Sequence, residues 1–317
     1  MKLATLKDGG RNGRLAVVSK DLTRAAFAPD PFRTLQAALE NWDEAAPVLA
    51  AVSPAAFPFD PAQAMAPLPR AYQWLDASAF LSHGRLMQKA LNLADNPQGE
   101  QPLIYQGASD DFLGPHDDAP FPREEDGIDF EGEFGVILGE VPMSVNPEEA
   151  EKHIRLVVQL NDWSLRALAP REMKSGFGFL QAKPSTAFAP VAVTPDELGP
   201  AWHEGRIDLA LHVSWNGKTF GAPRGREMDF RFGQLIAHAA STRRLRAGTI
   251  LGTGTVSNSG AETVGSACIS ERRALDMIAG RSPTAFMCFG DQVTMEAFDT
   301  QGFPLFGGIS QRVVQAS

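Results

Sequence analysis

The stretch Ile128-Asp-Phe-Glu-Gly-Glu-Phe-Gly-Val-Ile-Leu138 sets three acidic residues inside an otherwise apolar run. Alternate side chains of a β-strand share a face, so a strand here would place Asp129, Glu131 and Glu133 together, opposite the large apolar side chains. Carboxylates crowded in this way repel one another unless they are solvated, protonated or bridged by a cation, and hard divalent ions prefer oxygen ligands. The stretch therefore indicates either a divalent metal site or an ordinary strand whose acidic face meets water.

The overall composition excludes several classes of partner. The chain has 317 residues, 44% of them hydrophobic and 21% charged, and a formal net charge of −9 at pH 7. An acidic balance disfavours nucleic acids and anionic membranes, and no apolar run has the length of a transmembrane helix or a signal peptide. Cys268 and Cys288 lack metal-ligand spacing; we predict two buried free thiols, with a disulfide as the alternative. We therefore expect a cytoplasmic protein with no nucleic-acid or membrane partner.

Proline and turn patterns predict two domains. The segment 57–69 holds four prolines in thirteen residues, which predicts an extended connector without secondary structure. We place the boundary there, between a small β-rich N-terminal domain (1–70) and a larger domain (71–317). The larger part shows short strands between turns and few helices, so the predicted class is α+β and β-rich. Helices are predicted at about 32–52, 76–92, 147–153 and 230–244, strands at 154–160 and 209–215, and a hairpin turn at Asn216-Gly217.

Asp76 and His83 stand seven positions apart at the start of one predicted helix. Asp76 is well placed as its N-cap, and positions seven apart fall on one helix face. The two side chains would then project into one cleft. The alternative is a plain N-cap followed by a partly exposed histidine.

Further polar residues lie at the ends of apolar segments. Asp162 follows the predicted strand 154–160 and offers an oxygen ligand or a turn cap. Lys183 lies in a glycine-loosened apolar segment, where it would stabilise developing negative charge or remain a surface lysine. Thr255 belongs to a small-residue loop, Gly252-Thr-Gly-Thr. Glu271 would pair with a histidine or with its arginine neighbours.

In this order, the motifs resemble those of the fumarylacetoacetate hydrolase family. They are Asp76-x6-His83, Asp129-Phe-Glu-Gly-Glu133, Asn161-Asp-Trp-Ser-x-Arg166, Lys183, Gly254-Thr255 and Gly290-Asp-x-Val-x-x-Glu296, and they extend over roughly residues 72–309. The resemblance implies a mixed β-sandwich roll as the catalytic domain, a small β-rich N-terminal domain and a homodimer.

Site residues carry over from the family by position. A divalent metal, Mg²⁺ or Ca²⁺ with Mn²⁺ as a further candidate, would be held by Asp76, Glu131, Glu133 and Asp162. The resemblance makes His83 the general base, Lys183 a catalytic cation and Glu271 the acid that orients the histidine, although strict counting from Thr255 falls on Ile269. It makes Tyr105, Arg166 and Thr255 substrate-binding. Where the family often carries an acid and a glutamine, this chain has Ala167 and Ala169.

The activity implied by the resemblance is metal-dependent hydrolysis of a carbon–carbon bond in a small anionic β-dicarbonyl acid. The prototype is fumarylacetoacetate, which gives fumarate and acetoacetate in aromatic amino-acid catabolism. Ala167 and Ala169 keep other activities of the scaffold open, namely acylpyruvate or fumarylpyruvate hydrolysis, oxaloacetate decarboxylation, and meta-cleavage-pathway hydration or isomerisation. A non-catalytic metal- or ligand-binding protein is the alternative of another class.

Overall fold

The computed structural model describes residues 1–92 and 101–316. The strands are β1 (Lys2–Leu6), β2 (Arg14–Val18), β3 (Arg24–Phe27), β4 (Phe57–Pro58), β5 (Trp74–Ala77), β6 (Ile104–Gly107), β7 (Ala119–Phe121), β8 (Ile128–Asp129), β9 (Gly132–Leu138), β10 (Ile154–Asn161), β11 (Ser164–Leu165), β12 (Ala187–Phe188), β13 (Val191–Val193), β14 (Trp202–His203), β15 (Arg206–Ile207), β16 (Leu211–Trp215), β17 (Lys218–Gly221), β18 (Ile250–Gly252), β19 (Gln292–Ala297) and β20 (Ile309–Gln315). The α-helices are α1 (Leu35–Glu40), α2 (Trp42–Ala50), α3 (Leu81–Leu91), α4 (Pro147–Glu151), α5 (Ala169–Ser175), α6 (Phe232–Ala239), α7 (Ala261–Val264) and α8 (Ile269–Ile278). The fold is thus β-rich with scattered helices, as predicted.

One large sheet runs through both halves of the chain. Its strands follow the order β4-β3-β2-β1-β13-β10-β9-β18-β5-β6, with β12 attached to β10. The N-terminal strands continue this sheet through the antiparallel pair β1–β13. The predicted connector 57–69 is not free of structure, because β4 pairs with β3 and residues 61–63 form a turn of 3-10 helix. The domain division at residue 70 stays a prediction.

A second sheet, in the order β17-β16-β19-β20-β7, packs against one face of the large sheet. Phe134 and Val157 of the large sheet share one buried cluster with Val213 and Met295 of the second. The other face of the large sheet is covered by α1 and α2, whose leucines pack on β1, β2 and β10. The strands that carry the acidic residues therefore lie between two apolar layers, where an unpaired charge is costly.

The predicted helix at 76–92 begins five residues later than expected. Residues 74–77 form β5, which pairs with β18 on one side and β6 on the other, and α3 starts at Leu81 after Phe80 as its N-cap. Asp76 is therefore a strand residue, and the argument that it shares a helix face with His83 was wrong. The sheet hydrogen bonds on both sides of β5 outweigh the local helical signal.

Other local predictions agree with the structure. Helices α4 and α6 lie within the predicted segments, and β10 covers 154–160. Asn216 and Gly217 both have positive φ, 49° and 73°, as the tight hairpin between β16 and β17 requires. Helices α5, α7 and α8 were not predicted.

The cysteines are both free, but their burial differs. Cys268 is buried, whereas Cys288 is exposed, so the prediction of two buried thiols holds for the first alone. Among the described residues, no helix combines the length and the apolarity that crossing a bilayer requires.

Candidate metal centre and active site

Four buried carboxylates converge where neighbouring strands of the large sheet meet. Asp76 lies in β5, Glu133 lies in β9, Glu131 immediately precedes β9, and Asp162 immediately follows β10. Each offers an oxygen, and these oxygens all lie within 4.8 Å of one another. The four residues, here called the carboxylate cluster, are the set that the family resemblance implies as metal ligands.

Strand β18 lies between β9 and β5 and has to leave room for the cluster. A Cβ atom at Gly252 would lie 2.7 Å from an Asp76 carboxylate oxygen and 2.4 Å from the ring of Trp74. Glycine at this position therefore lets Asp76 and Glu133 approach across the intervening strand. The backbone N–H of Gly254, just beyond β18, donates to Asp76 Oδ1 over 3.0 Å.

Two cations neutralise part of the cluster's charge. Lys183 Nζ lies 2.6 Å from Glu131 and 2.7 Å from Asp162, and its side chain is almost fully buried. The Arg166 guanidinium donates to Glu131 as well. Burial works to raise the pKa of Glu131, but Arg166 and Lys183 outweigh it and lower that pKa to about 2. The same carboxylates, above all that of Asp162, raise the pKa of Lys183 although burial opposes this.

Lys183 and Arg166 form no ion pair with the other two carboxylates of the cluster, Glu133 and Asp76, among the ion pairs of the described residues. Glu133 is fully buried, and neither of its carboxylate oxygens accepts a hydrogen bond from the described residues. Burial and the nearby Asp76 raise the pKa of Glu133 well above its usual value. Burial and Asp162 likewise raise the pKa of Asp76 to about 8. An all-oxygen donor set with orphaned buried oxygens is what a hard divalent cation requires, so these residues fit such an ion.

Asp162 is fixed by two further groups. The hydroxyl of Thr186 donates to Asp162 Oδ1 over 2.6 Å, and the Tyr105 hydroxyl donates to its Oδ2. Tyr105 lies on β6 directly opposite Asp76 in register, and Lys183 Nζ lies 5.5 Å above its ring. Thr186 was not singled out from the sequence, although it closes the Lys183-Pro-Ser-Thr segment and its spacing from Lys183 offered a signal.

His83 lies near the cluster, in the first turn of α3, beside Glu271 of α8. His83 Nδ1 is 3.6 Å from Glu271 Oε1, longer than a hydrogen bond. Both Nδ1 and the second Glu271 oxygen are buried and have no hydrogen-bond partner within residues 1–92 and 101–316. Glu271 accepts a 2.5 Å hydrogen bond from Ser257, which in turn accepts one from Ser82. Glu271 is thus beside the histidine, and its oxygen nearest to Nδ1 is the one that accepts from Ser257.

The neighbouring arginines of Glu271 point elsewhere. Arg272 donates to the carbonyl of Phe220, and Arg273 donates to the carbonyl of Thr284. Of the two pairings that the sequence left open for Glu271, the structure favours the histidine.

Asp129 does not share the cluster with Glu131 and Glu133, contrary to the strand alternation. β8 pairs with β11 in a separate two-stranded sheet, and the run is interrupted before β9 begins. The Asp129 carboxylate instead accepts hydrogen bonds from the backbone of α8 and from Arg166. The alternation failed because one continuous strand was assumed where two short ones meet.

The remaining predicted residues are placed as follows. Thr255 is buried in the loop after β18, next to Gly254. Arg166, predicted to bind substrate, is occupied by Asp129 and Glu131. Ala167 is exposed, and Ala169 begins α5.

Family models match nearly the whole chain. Residues 73–314 match the model described as fumarylacetoacetate (FAA) hydrolase C-terminal, and residues 1–70 match fumarylacetoacetase N-terminal domain 2.

A curated relative is the 2,4-didehydro-3-deoxy-L-rhamnonate hydrolase of Sphingomonas sp. (strain SKA58). It is 29% identical over 181 residues, which are 54% of this chain and 61% of that protein. The chain therefore spans about three-fifths of the length of that relative.

Solved structures share the fold over the full length of both chains. A putative HpcE protein from Mycobacterium smegmatis superposes with a TM-score of 0.75 at 22% identity, covering 100% of each chain. The maleylpyruvate hydrolase from Sphingobium sp. SYK-6, solved in complex with manganese(II) ion and pyruvate, gives 0.67 at 18% identity with the same coverage. At these identities the likeness shows the fold alone.

Proposed function

We propose a reaction for this chain from the premise that it belongs to the fumarylacetoacetate hydrolase family. The reaction is metal-dependent hydrolysis of a carbon–carbon bond in a β-diketone acid such as fumarylacetoacetate, giving fumarate and acetoacetate in aromatic catabolism. The observation that supports it most is the buried carboxylate cluster, whose Glu133 oxygens have no partner among the described residues, near the adjacent side chains of His83 and Glu271.

Asp76, Glu131, Glu133 and Asp162 would hold Mg²⁺, Ca²⁺ or Mn²⁺. A bound divalent ion supplies an electrophile for the two oxygens of a β-dicarbonyl acid. The chain's own residues supply the proton transfers and the charge around that ion.

His83 is the proposed general base. With Nδ1 turned towards Glu271, its Nε2 is the nitrogen that would take a proton from water as the water oxygen attacks the carbonyl carbon. The bond between the carbonyl carbon and the neighbouring carbon then breaks, and its electron pair stays on that neighbouring carbon. The imidazolium returns the proton there, so that one water is consumed and two acids leave. Glu271 orients the ring and stabilises its charged form.

Lys183 supplies positive charge where negative charge develops. Its ammonium is nearly buried and already contacts two carboxylates of the cluster, so it acts in a medium drier than bulk water. Tyr105, Arg166 and Thr255 are proposed to contact the substrate. We further propose that the protein acts in the cytoplasm as a homodimer, which size-exclusion chromatography with light scattering would test.

The test follows the ultraviolet loss of fumarylacetoacetate with purified protein, with added Mg²⁺, Mn²⁺ or Ca²⁺ and after EDTA treatment. Rapid loss that EDTA abolishes and metal restores is the expected result. A His83→Asn variant that binds metal normally and keeps full activity would overturn the assignment of the base.

A second candidate is hydrolysis of an acylpyruvate or a related 2,4-diketo acid. Ala167 and Ala169 stand where the family often carries an acid and a glutamine, which favours a different acyl group. The panel therefore includes fumarylpyruvate, maleylpyruvate, 2,4-didehydro-3-deoxy-L-rhamnonate and oxaloacetate. Turnover of one of these, with fumarylacetoacetate inert, would select this candidate. Metal binding without turnover of any would favour the non-catalytic alternative.

A further inference from the structure

Asp129 is a fully buried carboxylate that lies outside the carboxylate cluster and has no part in the reaction proposed above. Its side chain is 0% exposed and accepts three hydrogen bonds. The backbone N–H groups of Ile269 and Ser270 donate over 2.7 and 3.0 Å, and Arg166 Nε donates over 2.8 Å. Two of its donors thus lie at the start of α8, and the third, Arg166, directly follows β11. The two places lead to different halves of the site.

The first connection runs through Arg166 to the carboxylate cluster. The same guanidinium that binds Asp129 also donates to Glu131, a proposed metal ligand. Asp129 therefore fixes the position of Arg166, and the positive charge of the guanidinium is shared between Asp129 and Glu131. Without Asp129, the guanidinium would be free to move onto Glu131, where it would compete with a cation.

The second connection runs through α8 to the histidine. Ile269 and Ser270 are the first two residues of α8, and Glu271 is the third. A carboxylate that accepts the free N–H groups of a helix N-terminus fixes that end of the helix and is favoured by the helix dipole. Asp129 therefore holds the turn that carries Glu271 beside His83.

We propose that Asp129 is a positioning residue that couples the metal-binding carboxylates to the Glu271–His83 pair. The inference rests on the proposed function, because it assigns Glu131 to the metal and Glu271 to the base. When a cation binds Glu131, the Arg166 guanidinium is released from Glu131 and pairs with Asp129 alone. The firmer hold on Asp129 then stabilises the first turn of α8. Coupling of this kind is reciprocal, so loosening that turn also weakens metal binding.

The first test is a double-mutant cycle of Asp129→Asn and Glu271→Gln, measured at saturating Mn²⁺ and substrate. Asp129→Asn alone is expected to lower kcat about ten- to a hundredfold, because small misplacements of catalytic groups have effects of that size. In the Glu271→Gln background, the same change is expected to lower kcat less than about threefold. Equal effects in both backgrounds would refute action through Glu271.

Asp126→Asn is the matched control. Asp126 is also buried and pairs with an arginine, Arg123, over 2.7 Å, and among the described residues its carboxylate accepts side-chain hydrogen bonds from Arg123 alone. It is expected to keep the kcat of the native enzyme and its Mn²⁺ affinity. An equal loss of kcat in both variants would reduce the role of Asp129 to general stability.

The second test needs neither a variant nor a substrate. Hydrogen exchange is followed in the native protein over residues 266–274, with Mn²⁺ and with EDTA, and α6 serves as the reference segment. Mn²⁺ is expected to slow exchange of the Ile269 and Ser270 amides several-fold while leaving α6 unchanged. Unchanged exchange with Mn²⁺ shown to be bound would overturn the coupling. Failure of Mn²⁺ to bind would overturn the metal assignment and the coupling with it, whereas an inert substrate panel would count against the proposed function alone.

Discussion

Replacing Asp76 by asparagine is expected to stabilise the metal-free protein while weakening metal binding. Asparagine has the shape of aspartate, and its Oδ1 can still accept the Gly254 N–H. Its amide also supplies a donor to the cluster, where the oxygens of Glu133 have no partner among the described residues. The substitution therefore removes a charge whose burial is costly without opening a cavity.

The size of the effect follows from the pKa of Asp76, which burial and Asp162 raise from 3.8 to about 8. A carboxyl group whose folded-state pKa lies above its unfolded value destabilises the folded state progressively as pH rises between the two values. Between these values, the free energy of unfolding falls by about 1.4 kcal/mol per pH unit. At pH 7 an isolated group of this kind would destabilise the folded state by at most about 4 kcal/mol. Sharing of protons within the cluster reduces this cost, so we expect Asp76→Asn to raise the free energy of unfolding by about 2 kcal/mol.

The assay is urea unfolding of both proteins in EDTA at pH 5, 6, 7 and 8. The advantage of Asp76→Asn should be small at pH 5 and grow towards pH 8. Mn²⁺ should raise the free energy of unfolding of the native protein and have a much smaller effect on the variant. Asp110→Asn, at an exposed aspartate, is the control and should change neither quantity.

A variant that is less stable than the native protein at pH 7 in EDTA would refute this reasoning, as would a difference between the two that does not depend on pH. Equal stabilisation of both proteins by Mn²⁺ would instead refute the assignment of Asp76 as a metal ligand.

Three further predictions concern single side chains of the site. His83→Asn should lower kcat at least a hundredfold, with the Mn²⁺-induced rise in melting temperature unchanged; a parallel loss of Mn²⁺ binding would contradict its role as base. Lys183→Met removes an ammonium held between two carboxylates, so the free energy of unfolding of the metal-free protein in urea should fall by about 3 kcal/mol. Mn²⁺ should then stabilise the variant more than it stabilises the native protein. A smaller effect of Mn²⁺ on the variant would argue against competition between the metal ion and the lysine. Gly254→Ala should lower the free energy of unfolding by at least about 2 kcal/mol, because φ is +76° and the new Cβ would lie 2.2 Å from the carbonyl oxygen of Ala77. Gly260→Ala is the control, because φ there is negative and its Cβ would meet no atom within 4 Å among the described residues. It should change stability by less than about 1 kcal/mol in the same unfolding assay.

Local sequence features were sufficient for much of the fold. Strand β10, helices α4 and α6 and the Asn216-Gly217 hairpin follow from periodicity and turn chemistry, which act over a few residues. The same reasoning failed at β5, where pairing with two distant strands decides the conformation, and it did not find α8, whose N-terminus is satisfied by a carboxylate far away in the chain.

The assignment of the site to these residues depended on motif order more than on local pattern. Asp76, Glu131, Glu133 and Asp162 were selected together because their order along the chain resembles that of a known family. Neither composition nor spacing indicates that oxygens from residues so far apart in sequence lie within 4.8 Å of one another. Their roles as ligands stay proposals.

The sequence by itself determined the β-rich class, the identities of the acidic residues and the presence of a histidine and a lysine suited to polar chemistry. Only the tertiary structure decided which groups share charge: Lys183 lies between Glu131 and Asp162, Arg166 is bound to Asp129, and Glu133 has no partner among the described residues. The physical reason is that hydrophobic patterning and turn preferences act between near neighbours in sequence, whereas the electrostatic energy of a buried charge depends on the few ångströms around it. Those ångströms are set by strands that meet from distant parts of the chain.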